Sequence, residues 1–149
     1  MAIRRAQAKW RGDLAKGKGQ VETGSGTFKG SYSFGTRFEE EEGSNPEELV
    51  AAAIAACFSM ALAHGLAQAG HTPEEVATEA ATHLEKGEGG FGITRIVLTC
   101  RAQVPGISAE LFREKADEAK AGCPISRALS ATPIELEAHL TSSTGSLKK

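Results

Sequence analysis

The stretch from Gly43 to Ala69 constrains this chain more than any other, because it reads as one long Ala-rich helix. Asn45 is a good N-cap, Pro46 suits the first helical position, and Glu47 and Glu48 put negative charge at the positive end of the helix dipole. From Leu49 the run LVAAAIAACFSMALAHGLAQA contains no breaker except Gly65, and Gly70 fits a C-cap before His71-Thr72-Pro73. Pro46 to Ala69 would measure about 36 Å. A segment of this length raises the question of a membrane span, but alanine is weakly apolar, His64 and Gln68 interrupt the run, and no other stretch looks membrane-embedded. The expectation is a buried helix of a soluble protein, with no membrane partner. Small side chains on nearly every face predict close approach from all sides, in the centre of the fold or of a dimer, with Cys57 near mid-helix shielded from water.

At 149 residues the chain suits a single domain, residues 1–149, able to bury roughly 70% of its unfolded surface without disulfides. A net charge of -2 with Lys and Arg scattered among acids carries no nucleic-acid footprint. The start, MAIRRAQAKWRGD, has no apolar segment after its arginine pair, so it does not read as a secretory signal, and a cytoplasmic location is expected. An odd number of cysteines, three, then points to core, metal or redox roles rather than a disulfide framework.

Ahead of the helix, short runs around Ala8 to Trp10, Gln20 to Glu22 and Ser31 to Phe34, punctuated by glycine, predict an antiparallel meander anchored by Trp10, Val21, Phe28, Tyr32 and Phe34. Gly35 to Gly43 reads as a connector in which Glu39 to Glu42 are solvated; Arg37 at its start is, by position alone, a surface arginine paired with these glutamates. Beyond the helix, Val76 to Leu84 and Ile96 to Val104 alternate as two strands of a hairpin turning at Gly87 to Gly92. A second helix opens with Ser108 as N-cap and buries Phe112, Ala116 and Ala119 before stopping at Gly122. Pro124 starts a further short helix with Cys123 at its N-cap, Ile134 to Leu140 alternate as a last strand, and Thr141 to Lys149 is a polar tail.

The cysteines differ in setting. Cys100 lies on the apolar face of its strand and reads as a small core hydrophobe. Cys123, at a helix N-terminus, has a setting that favours thiolate, and reads equally as a residue that merely occupies a loop-helix junction. Cys57 gains nothing from a dipole and alone reads as an inert core thiol; to act as a nucleophile it needs a cation in reach, and arginine keeps its charge in such surroundings. No CxxC pair exists and His64, His71, His83 and His139 show no ligand spacing with the cysteines, so no metal is expected, and no local signature supports a Cys-His protease.

Asn45-Pro46-Glu47-Glu48-Leu49, then Ala55-Ala56-Cys57-Phe58-Ser59-Met60-Ala61-Leu62, then Cys123-Pro124-Ile125-Ser126 with Arg127-Ala128-Leu129 resemble the osmotically inducible protein C and organic hydroperoxide resistance family, OsmC/Ohr, and its OsmC branch in particular. The resemblance covers nearly the whole chain and implies an α+β fold: an intertwined homodimer with antiparallel sheets wrapped around long central helices. It implies a thiol peroxidase with Cys57 peroxidatic, Cys123 resolving, Arg37 activating the thiolate and Glu48 orienting Arg37. Glu48 also stands at N3 from Asn45, the capping-box spacing. Nine residues separate Glu48 from Cys57, about 13.5 Å along a straight helix and near 180° around it, which favours a site built across the dimer interface.

The chemistry so implied is attack of the Cys57 thiolate on a hydroperoxide, a sulfenic acid, a Cys57-Cys123 disulfide and reduction by an external dithiol, with a lipoyl type suggested by the family. It needs no cofactor. Ile54, Phe58 and Met60 are candidates for favouring organic hydroperoxides over hydrogen peroxide. A thiol-disulfide oxidoreductase and a non-enzymatic dimeric binding protein are the competing readings.

Overall fold

Glycine in the middle strand shapes the first sheet. In the computed structural model, which describes residues 1–142, β1 (Ala6–Arg11), β2 (Lys18–Thr23) and β3 (Lys29–Tyr32) form an antiparallel meander in the order β1-β2-β3. Trp10 and Tyr32 both stand opposite Gly19 in the register, and their rings meet at 5.5 Å between centroids. A Cβ on Gly19 would lie 2.6 Å from Tyr32 Cε1 and 2.7 Å from Trp10 Cε3, so the missing side chain is what lets the two rings close over β2. Phe28, expected as an anchor, is 68% exposed and does not serve as one.

The connector expected over Gly35 to Gly43 begins instead with a helix, α1 (Phe34–Phe38). Ser33 caps it reciprocally: its Oγ accepts from the Thr36 N–H at 3.3 Å while Thr36 Oγ1 accepts from the Ser33 N–H at 2.8 Å. Five residues with an internal glycine are too few for hydrophobic periodicity, which hides the helix in the sequence. These elements, with the first turn of α2 (Pro46–Gln68), make up one compact unit, Met1–Leu49.

The second unit starts at Val50 and contains the rest of α2, then β4 (Glu75–Gly87), β5 (Gly90–Gln103), α3 (Ala109–Gly122), α4 (Pro124–Ala128) and β6 (Ile134–Thr141). β4 and β5 form the expected hairpin, antiparallel along their whole length. β6 runs parallel to β5, from Ile96 opposite Ile134 to Gln103 opposite Thr141, so one edge departs from an all-antiparallel arrangement. The reason is topological: α3 and α4 lie between the two strands, and a crossover of that length can return the chain in the same direction. The polar tail read from Thr141 onward lies, after Ser142, outside the described residues.

Ile54, Phe58, Leu62 and Leu66, four residues apart along α2, are fully buried among Ile96, Leu98, Cys100 and Ala102 of β5 and Phe112, Ala116 and Ala119 of α3. The expectation was close approach to α2 from all sides, in the fold or in a dimer; within the single chain one stripe is buried, while Leu49 is 40% and Met60 74% exposed, and Ala52, Ala53 and Ala56 face outward with them. Length and apolarity alone would let α2 cross a bilayer, but the buried stripe reads as the core helix of a packed unit. Cys100 is a core residue, as expected. Phe58→Ala should cost about 3–5 kcal/mol through the lost ring and the cavity left behind, measured by urea denaturation followed by circular dichroism.

Candidate active site

The candidate residues fall into two pairs of side chains, one in each unit. In the second unit, Pro124 at the first position of α4 keeps Cys123 extended, with φ -59 and ψ 126, so that the cysteine caps the helix and its Sγ accepts from the Ser126 N–H at 3.5 Å. Cys123 is fully buried. Cys57, half-buried on α2, meets it in a thiol-thiol hydrogen bond, and the Ile125 N–H also points at Cys57. The fold thus brings together two cysteines 66 positions apart, both unpaired.

Their acidities part in opposite directions. Burial pushes the Cys57 thiol up, its contact with the Cys123 sulfur adds to the rise, and the Ile125 N–H opposes it weakly. Burial also works against a Cys123 thiolate, but the bonds from Cys57, Ser126 and the Ile125 N–H outweigh it and bring that thiol down. No cation is among the groups acting on Cys57.

In the first unit the cation is Arg37, from the last turn of α1. Its Nε donates to Glu47 Oε1 at 3.0 Å and its NH2 group to Glu47 Oε2 at 2.6 Å, the parallel fork of an arginine-carboxylate pair. Burial disfavours the Glu47 charge, but these bonds and the helix-terminal backbone outweigh it and hold the carboxyl below its ordinary range; the same bonds raise Arg37. The pair therefore stays ionised through neutral pH, and falls apart only as pH drops through the depressed Glu47 value.

The carboxylate expected on Arg37 was Glu48, and the structure corrects this by one residue. One step along a helix turns the side chain by 100°, so Glu47 is directed at α1 and is 8% exposed, whereas Glu48 is exposed and accepts from Ser44 Oγ at 3.0 Å. Glu48 keeps half of the capping expectation: its N–H donates to Asn45 Oδ1 at 2.8 Å. Two adjacent glutamates after Asn-Pro leave the choice undecided in the sequence, because the rotation of α2 relative to α1 decides it.

Arg37 lines a cavity of about 280 Å³ within the first unit, walled by Trp10, Leu14, Tyr32, Phe34 and Phe38. Its guanidinium lies 5.2 Å from the centre of the Phe38 ring, and Phe34 and Phe38 stand 4.9 Å apart. Of the apolar residues on α2 expected to favour organic hydroperoxides, Ile54 and Phe58 are sealed in the core and Met60 is exposed. The signal that was there to be read is the density of aromatic residues from Trp10 to Phe38 in a chain with so few. Among the described residues no group of three or more His, Cys, Asp or Glu is placed to hold a metal ion.

Comparison with known proteins supplies the context for these pairs. The sequence profile of the OsmC-like protein family matches residues 39–138. Peroxiredoxin OsmC of Escherichia coli (strain K12) is 49% identical over 140 residues, covering 93% of this chain and 97% of that protein. The crystal structure of the organic hydroperoxide resistance protein OhrB of Bacillus subtilis superposes with a TM-score of 0.69 at 26% identity, over 92% of this chain and 98% of that one. An OsmC-like protein from Vibrio cholerae shares the fold, with a TM-score of 0.74 at 19% identity over 93% and 99% of the two chains. A profile that spans two thirds of the sequence, with near full-length identity of one half to an OsmC protein, establishes that this chain belongs to the OsmC-like protein family.

Proposed function

We propose that this protein is a thiol-dependent peroxidase that reduces organic hydroperoxides, and hydrogen peroxide, to alcohols or water, with Cys57 as the peroxidatic and Cys123 as the resolving cysteine. The observation that carries the reading is the direct contact of these two thiols. Relatives named for peroxiredoxin activity and for organic hydroperoxide resistance support it.

The Cys57 thiolate attacks the distal oxygen of ROOH; the O–O bond breaks, the alkoxide takes a proton and leaves as ROH, and Cys57 becomes a sulfenic acid. Cys123 attacks the sulfenic sulfur, a Cys57-Cys123 disulfide forms and water leaves. An external dithiol, of the lipoyl type in this reading, returns both thiols by exchange and is itself oxidised to a disulfide. Cys123 lies within reach of Cys57 already, so resolution needs no transport of the sulfenic acid.

Burial raises the Cys57 thiol, so its nucleophilicity depends on a cation, and none is among the groups acting on it. Arg37 is that cation in this reading, stabilising the thiolate and the charge that develops on the peroxide oxygens, and Glu47 rather than Glu48 holds the guanidinium. We place Arg37 and Glu47 of one protomer against Cys57 of its partner in a homodimer. The exposed apolar face of α2, with Leu49 and Met60, supports a second copy as its cover. The aromatic cavity beside Arg37 suits the organic part of a hydroperoxide. The family profile runs through both units, which supports one domain over 1–149, and three unpaired cysteines suit the cytoplasm.

The test is one equivalent of cumene hydroperoxide added to reduced protein, with products located by peptide mass spectrometry. A Cys57-Cys123 disulfide and cumyl alcohol are the expected products; unreacted peroxide with all thiols reduced would sink the reading. Glu47→Gln should lower kcat/KM by about tenfold through a weakened charge-assisted bond, while Glu48→Gln should stay within about twofold. Equal losses in the two variants would return the orienting role to both.

A further inference from the structure

An ion pair alone does not fix where a guanidinium lies, since both long side chains can swing together. Arg37 and Glu47 come from different elements, α1 and the first turn of α2, joined by a loop with a run of exposed glutamates. One side chain between them bonds to both. Asn45 Nδ2 donates to the Thr36 carbonyl at 3.1 Å, and Asn45 Oδ1 accepts from the Glu48 N–H at 2.8 Å. A carbonyl can only accept and an N–H can only donate, so these partners fix which end of the amide is which.

The two groups are not incidental. The Thr36 carbonyl belongs to the peptide unit that continues into the nitrogen of Arg37, and the Glu48 N–H belongs to the unit that continues from the carbonyl of Glu47. Asn45 thus ties together the peptide planes on which the two charged side chains stand. The Thr36 side is held from its other face as well: Thr36 is 8% exposed, its hydroxyl donates to the Ser33 carbonyl at 3.1 Å, and the Arg37 N–H donates to the same carbonyl at 3.2 Å. Close packing at Gly43, with φ +142, completes the clamp, since a Cβ there would lie 2.6 Å from Thr36 Cγ2.

We infer that Asn45 is a positioning residue for Arg37, its amide setting the α1 turn against the start of α2 so that the guanidinium is presented in one orientation. The inference rests on the reading of Arg37 as the activating cation. A helix cap alone needs only an acceptor, which serine or aspartate supplies equally well. What only asparagine among the good caps adds is a donor long enough for the Thr36 carbonyl.

Three variants separate the two roles. N45S and N45D keep the cap acceptor and lose the donor, and N45D turns a carboxylate oxygen toward the carbonyl; N45A loses both. Tm should fall by about 2–4 °C in N45A and stay near wild type in N45S. In all three, kcat/KM for cumene hydroperoxide should fall by about tenfold or more, and the Arg37 Nε–H resonance in ¹⁵N-labelled protein should shift or broaden. Wild-type kcat/KM in N45S and N45D, beside a loss in Arg37→Ala, overturns the inference and leaves Asn45 a cap. Should Arg37→Ala keep wild-type kcat/KM, the reading of Arg37 fails instead. The resonance then decides alone: movement in N45S and N45D supports the positioning, and no movement overturns it.

Discussion

Cys57→Ser is expected to lower peroxide consumption by more than about a thousandfold, because a serine hydroxyl neither ionises near neutral pH nor forms the sulfenic acid through which oxygen leaves the peroxide. The substitution removes a half-buried thiol and leaves a group of similar size, so the far-ultraviolet spectrum should stay that of wild type. Cys123→Ser has a different signature. Its peroxide consumption should stop after one equivalent when no external thiol is present, with a sulfenic acid at Cys57 that dimedone traps. In the proposed mechanism Cys57 takes the oxygen and Cys123, in contact with it, only resolves it. Undiminished turnover in Cys57→Ser would remove Cys57 from the peroxidatic role. Thiols that exchange with small disulfides in the wild type but never meet peroxide would make the protein a thiol-disulfide oxidoreductase.

Arg37→Ala should lower kcat/KM for hydroperoxide by about a hundred- to a thousandfold, the scale on which one preorganised charge at a reacting centre acts. A second readout shows why. Within its own unit Cys57 is pushed up by burial and by the neighbouring sulfur, so without the guanidinium its rate of alkylation by iodoacetamide should titrate above the ordinary thiol range. With Arg37 present the midpoint should lie lower, because a nearby cation favours the charged thiol. The sign is therefore fixed: Arg37→Ala moves the alkylation profile to higher pH. Arg37→Lys keeps a charge but loses the two-pronged bond to Glu47, and should recover only part of the rate. Identical alkylation profiles in wild type and Arg37→Ala would remove Arg37 from the site.

The elements that were legible in the sequence are those with long, regular patterns or unambiguous caps. α2 starts at Pro46 and ends at Gln68, one residue short of expectation, because Asn45, Pro46 and Gly70 fix its ends independently of anything packed on it. α3 buries Phe112, Ala116 and Ala119, a stripe set by helical periodicity alone. Cys123 at the N-cap of α4 followed from Pro124, which restricts its neighbour by local sterics. α1 was missed, since five residues are below the length at which a period can be read and its capping box lies where the next strand was expected to continue.

What the sequence determined by itself about this protein is local: where helices and strands begin and end, which cysteine stands at a helix terminus, and, through its motifs, which family the chain resembles. What only the tertiary structure decided depends on how elements connect and rotate against each other. That rotation put Glu47 rather than Glu48 on Arg37, gathered aromatic side chains around Arg37 and left one face of α2 exposed, while the crossover through α3 and α4 ran β6 parallel to β5. The physical reason is that caps and periodicity are set by neighbours a few residues away, whereas a side chain's partner is chosen by packing over the whole unit, where a single residue step turns it by 100°.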